Sequence, residues 1–318
     1  MSELPFQIGR VDIPPIKCQG IKTKLVPFIF SSIQWGERIG ARWIEPFLGS
    51  GVVALNLAPQ CALLADTNRH IINLYQAIQR GELNRGAVRE FLFSEGERLA
   101  AGGADYYYEV RKRFNAGHSP FDFLFLNRSC FNGVIRFNGQ GQFNVPFGHK
   151  PQRFTQAYVT KIVNQVGWVA KQMRDKDWEF RVARWERVLP EAQPDDFVYL
   201  DPPYIGRHTD YYSSWDEGEA TRLASAAKAL PCGFALSMWL ENRYRKNEHI
   251  AESWSGLELR ICSHFYHVGS SESFRNEMDE ALVIKPGFAM PDLGKQMTKQ
   301  SKADQQASVD APLLPLFP

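Results

Sequence analysis

Cysteine is scarce in this chain of 318 residues, and long apolar runs are absent. The five cysteines are an odd number without a CxxC pair, which argues against a disulfide framework and against a zinc site. No segment approaches the roughly 18 consecutive apolar residues of a membrane-spanning helix, and the first residues lack the pattern of a secretory signal. We therefore expect a cytoplasmic protein without a metal site or a membrane segment.

Acidic side chains are missing from one internal stretch. Between Phe123 and Lys161 the chain contains no Asp or Glu. Basic side chains occur there at Arg128, Arg136, Lys150, Arg153 and Lys161. The net charge of the whole chain is only +2, so this excess of positive charge is local. Such a run favours a surface that faces the phosphates of a nucleic acid, although a solvated basic face has the same composition.

Strand and helix patterns alternate along most of the chain. Residues 41–58, ARWIEPFLGSGVVALNLA, have the pattern of a strand, a glycine loop and a helix. Residues 61–78 have that of a second strand, ending at Asp66, and of a helix capped near Thr67 or Asn68. Later strands are predicted at 197–200, 233–239, 257–268 and 279–287, and later helices at 156–174, 217–229 and near 243–252. This order predicts an α/β fold with a parallel, doubly wound sheet.

The glycine loop and Asp66 together indicate a nucleotide-like cofactor. A glycine loop between a strand and a helix lets a ligand approach backbone N–H groups at the helix N-terminus. An acid at the end of the next strand commonly binds ribose hydroxyls. A tight turn followed by a capping acid explains the same residues, and the pattern does not specify the cofactor. The dinucleotide fingerprint is incomplete, because Ala54 follows Gly49 and Gly51 where a third glycine is required.

The tetrapeptide Asp201-Pro202-Pro203-Tyr204 ends the strand predicted at 197–200. Groups at the carboxyl end of a parallel strand face the ligand crevice. The Asp201 carboxylate and the Pro202 carbonyl can accept both N–H groups of an exocyclic amine on a base, and Tyr204 offers a ring for stacking. Methyl transfer from a sulfonium to such an amine needs alignment more than acid–base chemistry. The tetrapeptide therefore predicts an amine methyltransferase.

The order of the motifs resembles that of a known family. The motifs are PPIKCQGIKTKLVP (14–27), EPFLGSGVVALN (45–56), LLADTN (63–68), FLFLNRSCFNGVIRFNGQGQFNVPFG (123–148) and DPPYIGRHTDYY (201–212). From residue 14 to residue 286 the chain resembles the Dam-type, D12-class adenine-N6 DNA methyltransferases of the α group. The resemblance implies a Rossmann-like S-adenosylmethionine-dependent methyltransferase sheet with an inserted, mainly helical target-recognition domain that carries a β-hairpin. It also implies methylation of a flipped-out adenine in double-stranded DNA, at a GAT-containing site such as GATATC, in a restriction-modification system.

The resemblance assigns roles to individual residues. The catalytic tetrapeptide is Asp201, Pro202, Pro203 and Tyr204. The residues expected to bind S-adenosylmethionine are Cys18, Lys22, Glu45, Phe47, Gly49, Asp66 and Asp201, although the family has Trp at the position of Cys18. The residues expected to contact DNA are Lys17, Phe131, Asn132, Val134, Arg136, Asn144, Pro146 and Lys150. Arg136 is expected to bind a guanine through two hydrogen bonds, with a solvated or phosphate-contacting arginine as the alternative.

The predicted catalytic domain is discontinuous. It comprises residues 1–68 and 157–288, and the target-recognition domain comprises residues 69–156. Residues 289–318 are polar and predicted to be disordered. Their apolar end, LLPLF at 313–317, resembles peptides that bind the bacterial sliding clamp, although an incidental apolar end is the simpler interpretation. We expect a monomer.

Other functions account for parts of the sequence. N4-cytosine methylation uses the same amine chemistry, but the cytosine enzymes more often resemble SPPY. An NAD-dependent oxidoreductase explains the glycine loop and Asp66, but it leaves DPPY and the acid-free stretch unexplained. A non-catalytic DNA-binding protein leaves DPPY without a role. A zinc nucleobase deaminase is excluded, since the chain has no P-C-x-x-C motif.

Overall fold

The computed structural model describes residues 2–203, 215–242, 245–246, 252–265 and 277–291. Tyr204 of the predicted catalytic tetrapeptide lies outside these ranges, as do residues 292–318 of the predicted tail. The described residues form an α/β fold around one mixed sheet. No helix in these ranges combines the length and the apolar character that a membrane span requires.

The described strands and helices alternate in part, with a run of four helices in the middle and a run of four strands at the end. The strands are β1 (Glu3–Leu4), β2 (Trp35–Gly36), β3 (Trp43–Glu45), β4 (Cys61–Asp66), β5 (Asp177–Val182), β6 (Phe197–Leu200), β7 (Gly233–Asn242), β8 (Arg245–Lys246), β9 (Glu258–Phe265) and β10 (Glu277–Ile284). The helices are α1 (Val26–Ser32), α2 (Val52–Leu57), α3 (Arg69–Gln79), α4 (Arg85–Gly117), α5 (Pro120–Ser129), α6 (Gln156–Met173), α7 (Trp185–Val188) and α8 (Glu217–Lys228).

The main sheet has the strand order β5-β4-β3-β6-β7-β10-β9, and β8 pairs with β7. All neighbours from β5 to β7 are parallel, while β10 is antiparallel to both β7 and β9. The prediction of a Rossmann-like sheet is therefore confirmed, and its closing strands reverse direction. Because β3, β4 and β6 are parallel neighbours, their carboxyl ends lie at one edge of the sheet.

Apolar residues on the two faces of the sheet form two cores. Trp43 of β3 belongs to one core, where its ring stacks on Phe197 of β6 at a centroid distance of 5.2 Å. The next residues along the same strands, Ile44 and Val198, belong to the other core. This alternation is the period of two that a strand imposes on its side chains. Burial on both faces fixes the register of the central strands.

The inserted helices pack beside the first of these cores. Asn84 caps α4 by accepting hydrogen bonds from the backbone N–H groups of Gly86 and Ala87. Within α4 the backbone is not helical at Gly103, where φ is 55° and ψ is −129°. Helix α3 lies against the sheet as well as against α5, since Gln76 Nε2 donates to the Phe180 carbonyl of β5. The domain boundary at residue 69 remains a prediction.

Three local features differ from the sequence-based expectations. Strand β5 was not predicted, although its apolar residues alternate with Asp177, Glu179 and Arg181 as an edge strand requires. Strand β8 lies inside the segment 243–252, for which a helical pattern was predicted. Ala289, the first residue of the predicted tail, forms an antiparallel bridge with Ile33.

Candidate active site

The loop between β3 and α2 depends on glycine at two positions. Gly49 has φ of 50° and Gly51 has φ of 67°, which is the left-handed region that side chains other than glycine disfavour. A Cβ atom at Gly51 would lie 3.3 Å from Cδ1 of both Leu48 and Leu55. The Tyr75 hydroxyl donates to the Ser50 carbonyl from below the loop. These contacts hold the loop backbone in one conformation at the start of α2.

Asp66, at the carboxyl end of β4, ties this loop to the neighbouring strand. Its Oδ2 atom accepts from the backbone N–H of Gly49 at 2.9 Å, and its Oδ1 atom accepts from that of Asn68 at 2.8 Å. Burial raises the pKa of Asp66, and these backbone N–H groups partly oppose the increase. Each carboxylate oxygen retains a second lone pair, so Asp66 can still accept a hydrogen bond from a ligand.

Asp201 follows directly after β6 and is held by two side chains. Ser237 Oγ of β7 donates to Asp201 Oδ1 at 3.1 Å, and the Tyr199 hydroxyl lies 2.8 Å from the same Ser237 oxygen. Lys22 Nζ lies 3.3 Å from Asp201 Oδ1. Burial raises the pKa of Asp201, Lys22 opposes this increase and Glu280 adds to it. The carboxylate is thereby fixed in position, while 24% of its side chain remains accessible.

Glu280 completes this network from strand β10. Its Oε2 atom lies 3.8 Å from Lys22 Nζ, and both side chains are buried. The pairing of β10 with β7 shifts register between Asp279 and Glu280. Such irregularities re-aim side chains and are frequent beside active sites. Lys22 therefore lies between two carboxylates, and the three groups together carry one net negative charge when all are ionised.

Glu45, at the end of β3, is a second buried acid beside Asp201. It accepts a hydrogen bond from Trp43 Nε1 at 2.7 Å. Burial raises the pKa of Glu45 to about 8, the hydrogen bond from Trp43 opposes this, and the charge of Asp201 adds to it. Glu45 is therefore largely protonated near neutral pH in the free protein.

One cavity brings these groups together. Every residue predicted to bind the cofactor lines it, namely Cys18, Lys22, Glu45, Phe47, Gly49, Asp66 and Asp201. Pro203 also lines the cavity, and Pro202 is buried behind it. Two aromatic residues, Trp185 and Trp215, complete the wall, and the Trp215 ring meets Phe47 edge-on at 5.6 Å. Within the described residues, the buried Trp185 Nε1 has no hydrogen-bond partner.

A short hairpin carries Arg136 beside this cavity. Phe137 and Phe143 form its antiparallel bridge, and the Asn138 backbone N–H donates to the Gln142 carbonyl at 2.9 Å. Arg136 Nε donates to Asn144 Oδ1 at 2.8 Å. Because the guanidinium plane is held through Nε, Asn144 orients Arg136. The adjacent Phe137 also lines the cavity, so the hairpin and the cavity share a wall.

The turn before the hairpin places Phe131 at the surface. Half of the Phe131 side chain is exposed, at 50%, which is unusual for a large aromatic residue. The Lys17 side chain packs on Gly133, where a Cβ atom would come within 2.3 Å of Lys17 Cδ. Asn127 accepts from the Lys17 backbone N–H at 2.8 Å and donates to the Gly133 carbonyl at 3.2 Å. Asn127 therefore joins the N-terminal segment to the turn.

The remaining residues predicted to contact DNA lie around this turn and hairpin. Asn132 is exposed and adopts φ of 53°. The Pro146 carbonyl accepts from the Phe131 backbone N–H at 2.9 Å, which brings Pro146 beside the turn. Val134 is partly buried, and Lys150 is exposed. Two pairs among the eight predicted residues are therefore in contact, Phe131 with Pro146 and Arg136 with Asn144.

Comparison with known proteins identifies the family. Residues 19–268 match the D12 class N6 adenine-specific DNA methyltransferases. The chain is 31% identical over 255 residues to the DNA adenine methylase of Haemophilus influenzae, across 76% of this chain and 83% of that protein. It is 28% identical over 290 residues to the DNA adenine methylase of Escherichia coli, across 87% of this chain and 96% of that protein. The chain belongs to this family.

Family membership makes the protein a DNA adenine methyltransferase and decides against the cytosine-N4 and nicotinamide alternatives. The structure places four residues in the candidate site that the sequence analysis missed: Ser237, Glu280, Trp185 and Trp215. Trp185 follows β5, whose alternating pattern could have been recognised. No local pattern marks Ser237 or Glu280, because each reaches the site through strand pairing.

Proposed function

We propose that this methyltransferase transfers the methyl group of S-adenosylmethionine to N6 of an adenine that is flipped out of double-stranded DNA. The observation that carries the proposal is the position of Asp201, which lines the same cavity as Glu45, Asp66 and the glycine loop. An adenine amine held by Asp201 would therefore share this cavity with the cofactor. Flipping costs about a few kcal/mol of lost stacking, which contacts to the DNA backbone and the cavity offset.

The residues of the cavity fit S-adenosylmethionine. Three carboxyl groups, those of Glu45, Asp66 and Asp201, line the cavity together with the cations Lys22 and Arg184. The carboxylates suit the sulfonium and ammonium groups of the cofactor, and the cations suit its carboxylate. Asp66 retains acceptor capacity for ribose hydroxyls. S-adenosylmethionine, when bound, supplies an electrophilic methyl group.

Asp201 and Pro202 act on the amine in the proposed mechanism. The lone pair of an exocyclic amine is delocalised into the base, so the nitrogen is a poor nucleophile. The Asp201 carboxylate and the Pro202 carbonyl accept its two N–H groups and favour a more tetrahedral nitrogen. Ser237 and Lys22 fix the Asp201 carboxylate, so alignment is established before the base arrives. Tyr204 is proposed to stack on the base.

The proposed target is a GAT-containing site such as GATATC, and the proposed role is protection of DNA in a restriction-modification system. Arg136, oriented by Asn144, is proposed to bind a guanine in the major groove. Phe131, exposed on its turn, is proposed to wedge between bases. Mapping adenine methylation across the DNA of cells that express the protein tests the target base and its site together.

The mechanism is tested by Asp201→Ala. We expect this variant to bind DNA and S-adenosylmethionine but to lose methylation by at least about 100-fold, the usual effect of removing one transition-state contact. Asp195→Ala is the matched control, since Asp195 is exposed and pairs with Arg38 at the surface. Near-normal turnover by Asp201→Ala would refute the mechanism.

We also propose that residues 305–318 bind a sliding clamp. The support is their composition, a polar run that ends in LLPLF. Deletion of 305–318 should abolish capture of the clamp and leave methylation of short duplexes unchanged. Equal capture with and without the segment, or none by the full chain, would refute this proposal.

A further inference from the structure

Two arginine side chains contact one tyrosine near α5 and α6, and the charge of Lys17 acts on the same tyrosine. The basic cluster consists of Lys17, Arg128, Arg153 and Tyr158. Arg153 Cζ lies 4.3 Å from the centroid of the Tyr158 ring, and Arg128 Cζ lies 5.8 Å from it. Arg153 Nη2 also donates to the Tyr158 hydroxyl at 2.8 Å. The charge of Lys17 contributes to the same environment.

The positive charge of the basic cluster is not neutralised by the protein. Within the described residues, none of its three cations forms an ion pair with Asp or Glu. The stretch from residue 123 to residue 161 supplies no acid at all. Like charges held this close repel one another, and the repulsion is relieved when an anion binds among them. A cluster that served only to stabilise the fold would be expected to include a carboxylate.

The titration of the cluster agrees with an excess of cations. Burial raises the pKa of Tyr158, yet Arg128, Arg153 and Lys17 together outweigh burial and leave the pKa below its ordinary value. Burial lowers the pKa of Lys17; Tyr158 opposes this, and Arg153 and Arg128 add to it. The lowered pKa of Tyr158 therefore reflects a positive local potential, whereas that of Lys17 reflects burial first and the neighbouring arginines second.

The four side chains differ in their access to solvent. Arg128 is 5% exposed, and its Nε atom has no hydrogen-bond partner among the described residues. The Arg128 backbone carbonyl accepts a hydrogen bond from Arg153 Nε at 3.1 Å, so Arg128 positions the Arg153 guanidinium. Arg153 itself is partly exposed and lines an open surface recess together with Lys150. Lys17 is also partly exposed, so Arg153 and Lys17 are the groups that can touch a ligand.

The basic cluster adjoins the proposed DNA surface. Lys17 packs on Gly133, two residues after Phe131, and the next residue, Cys18, lines the cofactor cavity. An anion at Arg153 would thus lie beside the turn that carries Phe131. The guanidinium group of arginine matches the geometry of a phosphate group. A phosphodiester also supplies negative charge, which the cluster lacks.

We infer that the basic cluster binds one phosphodiester of the DNA backbone next to the target base. Arg153 and Lys17 make the contacts, while Arg128 and Tyr158 are positioning residues. Because a phosphate contact fixes the register of the duplex and carries no sequence information, the site contributes to affinity equally on all sequences. The inference rests on the proposed function, since it requires that DNA be the substrate.

The salt dependence of DNA binding tests the inference. Dissociation constants of wild type, Arg153→Gln and Arg153→Lys are measured over a series of salt concentrations, on a cognate duplex and on an unrelated one. Loss of one phosphate contact should lower the slope of log K against log salt by about 0.9 for Arg153→Gln. Arg153→Lys retains the charge and should retain the slope. Lys228→Gln, an exposed lysine on α8, is the control and should leave the slope unchanged.

The following results would overturn the inference or assign the site a different role. A slope for Arg153→Gln equal to that of wild type overturns the inference, as does a change in the cognate-to-unrelated ratio, which would indicate a base contact. Equal losses by Arg153→Gln and Arg153→Lys would assign Arg153 a purely structural role. Binding of inorganic phosphate that Arg153→Gln abolishes, with an unchanged DNA slope, would assign the site to a free anion. Failure of the wild type to bind DNA would instead overturn the proposed function, and this inference with it.

Discussion

Lys22 Nζ lies 3.3 Å from Asp201 Oδ1 and joins the N-terminal segment to the end of the central strand β6. Glu280, 3.8 Å away on the other side, makes this lysine the shared partner of two carboxylates. Burial raises the pKa of Asp201, Lys22 lowers it and Glu280 raises it further. Asp201 must be ionised to accept the N–H groups of an amine, so both residues should influence the pH dependence of methylation.

Lys22→Met should shift the acid limb of the pH–rate profile to higher pH. Lys22 lowers the pKa of Asp201, so its removal leaves the carboxylate protonated over a wider range. Turnover at neutral pH should fall by about 10- to 100-fold, because a hydrogen bond to a charged group contributes about 1.5–3 kcal/mol. The profile is measured by transfer of a radiolabelled methyl group. Lys228→Met is the control, and an unshifted acid limb would contradict the prediction.

Glu280→Gln should shift the acid limb of the pH–rate profile to lower pH. Glu280 raises the pKa of Asp201, so the neutral amide lets Asp201 ionise at lower pH. The variant should also lose about 1–3 kcal/mol of unfolding free energy, since the buried Lys22 loses one charged partner. Glu252→Gln, at an exposed position, serves as the control for both measurements. A shift of the limb to higher pH would show that Glu280 does not act through Asp201.

Gly51→Ala should destabilise the glycine loop and weaken cofactor binding. The residue has φ of 67°, and the added Cβ would meet Leu48 and Leu55 at 3.3 Å. The left-handed conformation costs about 1–2 kcal/mol for a residue with a side chain. Urea unfolding and isothermal titration with S-adenosylmethionine measure the two effects. Gly117→Ala is the matched control, since a Cβ there meets nothing within 4 Å, and it should be neutral or stabilising.

Binding of S-adenosylmethionine should release a proton from Glu45. Burial raises its pKa to about 8 in the free protein, and a bound cation would lower it. At about pH 7 the release should approach one proton, measured by calorimetry in buffers of different ionisation enthalpy. Glu45→Gln should bind without this release. A buffer-independent binding enthalpy of the wild type would contradict the prediction.

The protonation of Glu45 also affects the free energy of unfolding. The unfolded Glu45 has its ordinary pKa of 4.5, so between about pH 4.5 and 8 the folded protein binds more protons than the unfolded chain. The contribution of Glu45 to stability is therefore complete below about pH 4.5 and is lost as the pH rises towards about 8. Glu45→Gln should flatten this part of the stability curve.

Arg136→Ala should reduce discrimination between sites more than it reduces binding in general. Arg136 is oriented by Asn144, and two hydrogen bonds to a guanine are worth about 1–3 kcal/mol of discrimination. Competition assays with duplexes changed at single positions measure the loss. Asn144→Ala should give a smaller effect in the same direction. Equal weakening on every sequence would indicate a phosphate contact instead.

Local sequence patterns were sufficient to predict the central parallel strands of the sheet. The strands ending at Glu45, Asp66 and Asp201 are apolar runs followed by polar residues, and parallel strands place such ends at one edge. The grouping of these acids in one cavity could therefore be predicted. Edge strand β5 was missed because only one of its faces is apolar, and Trp185 was missed with it.

Tertiary structure alone decided which charged groups surround Asp201, the proposed catalytic carboxylate. Lys22 and Glu280 come from opposite ends of the chain, and they meet because β10 enters the sheet antiparallel to β7 with a shift in register. The basic cluster likewise joins Lys17 of the N-terminal segment to α5 and the start of α6. Sequence patterns report which face of a strand or helix is apolar. The distance between two charged groups far apart in the chain depends on strand pairing and helix packing, which no local pattern encodes.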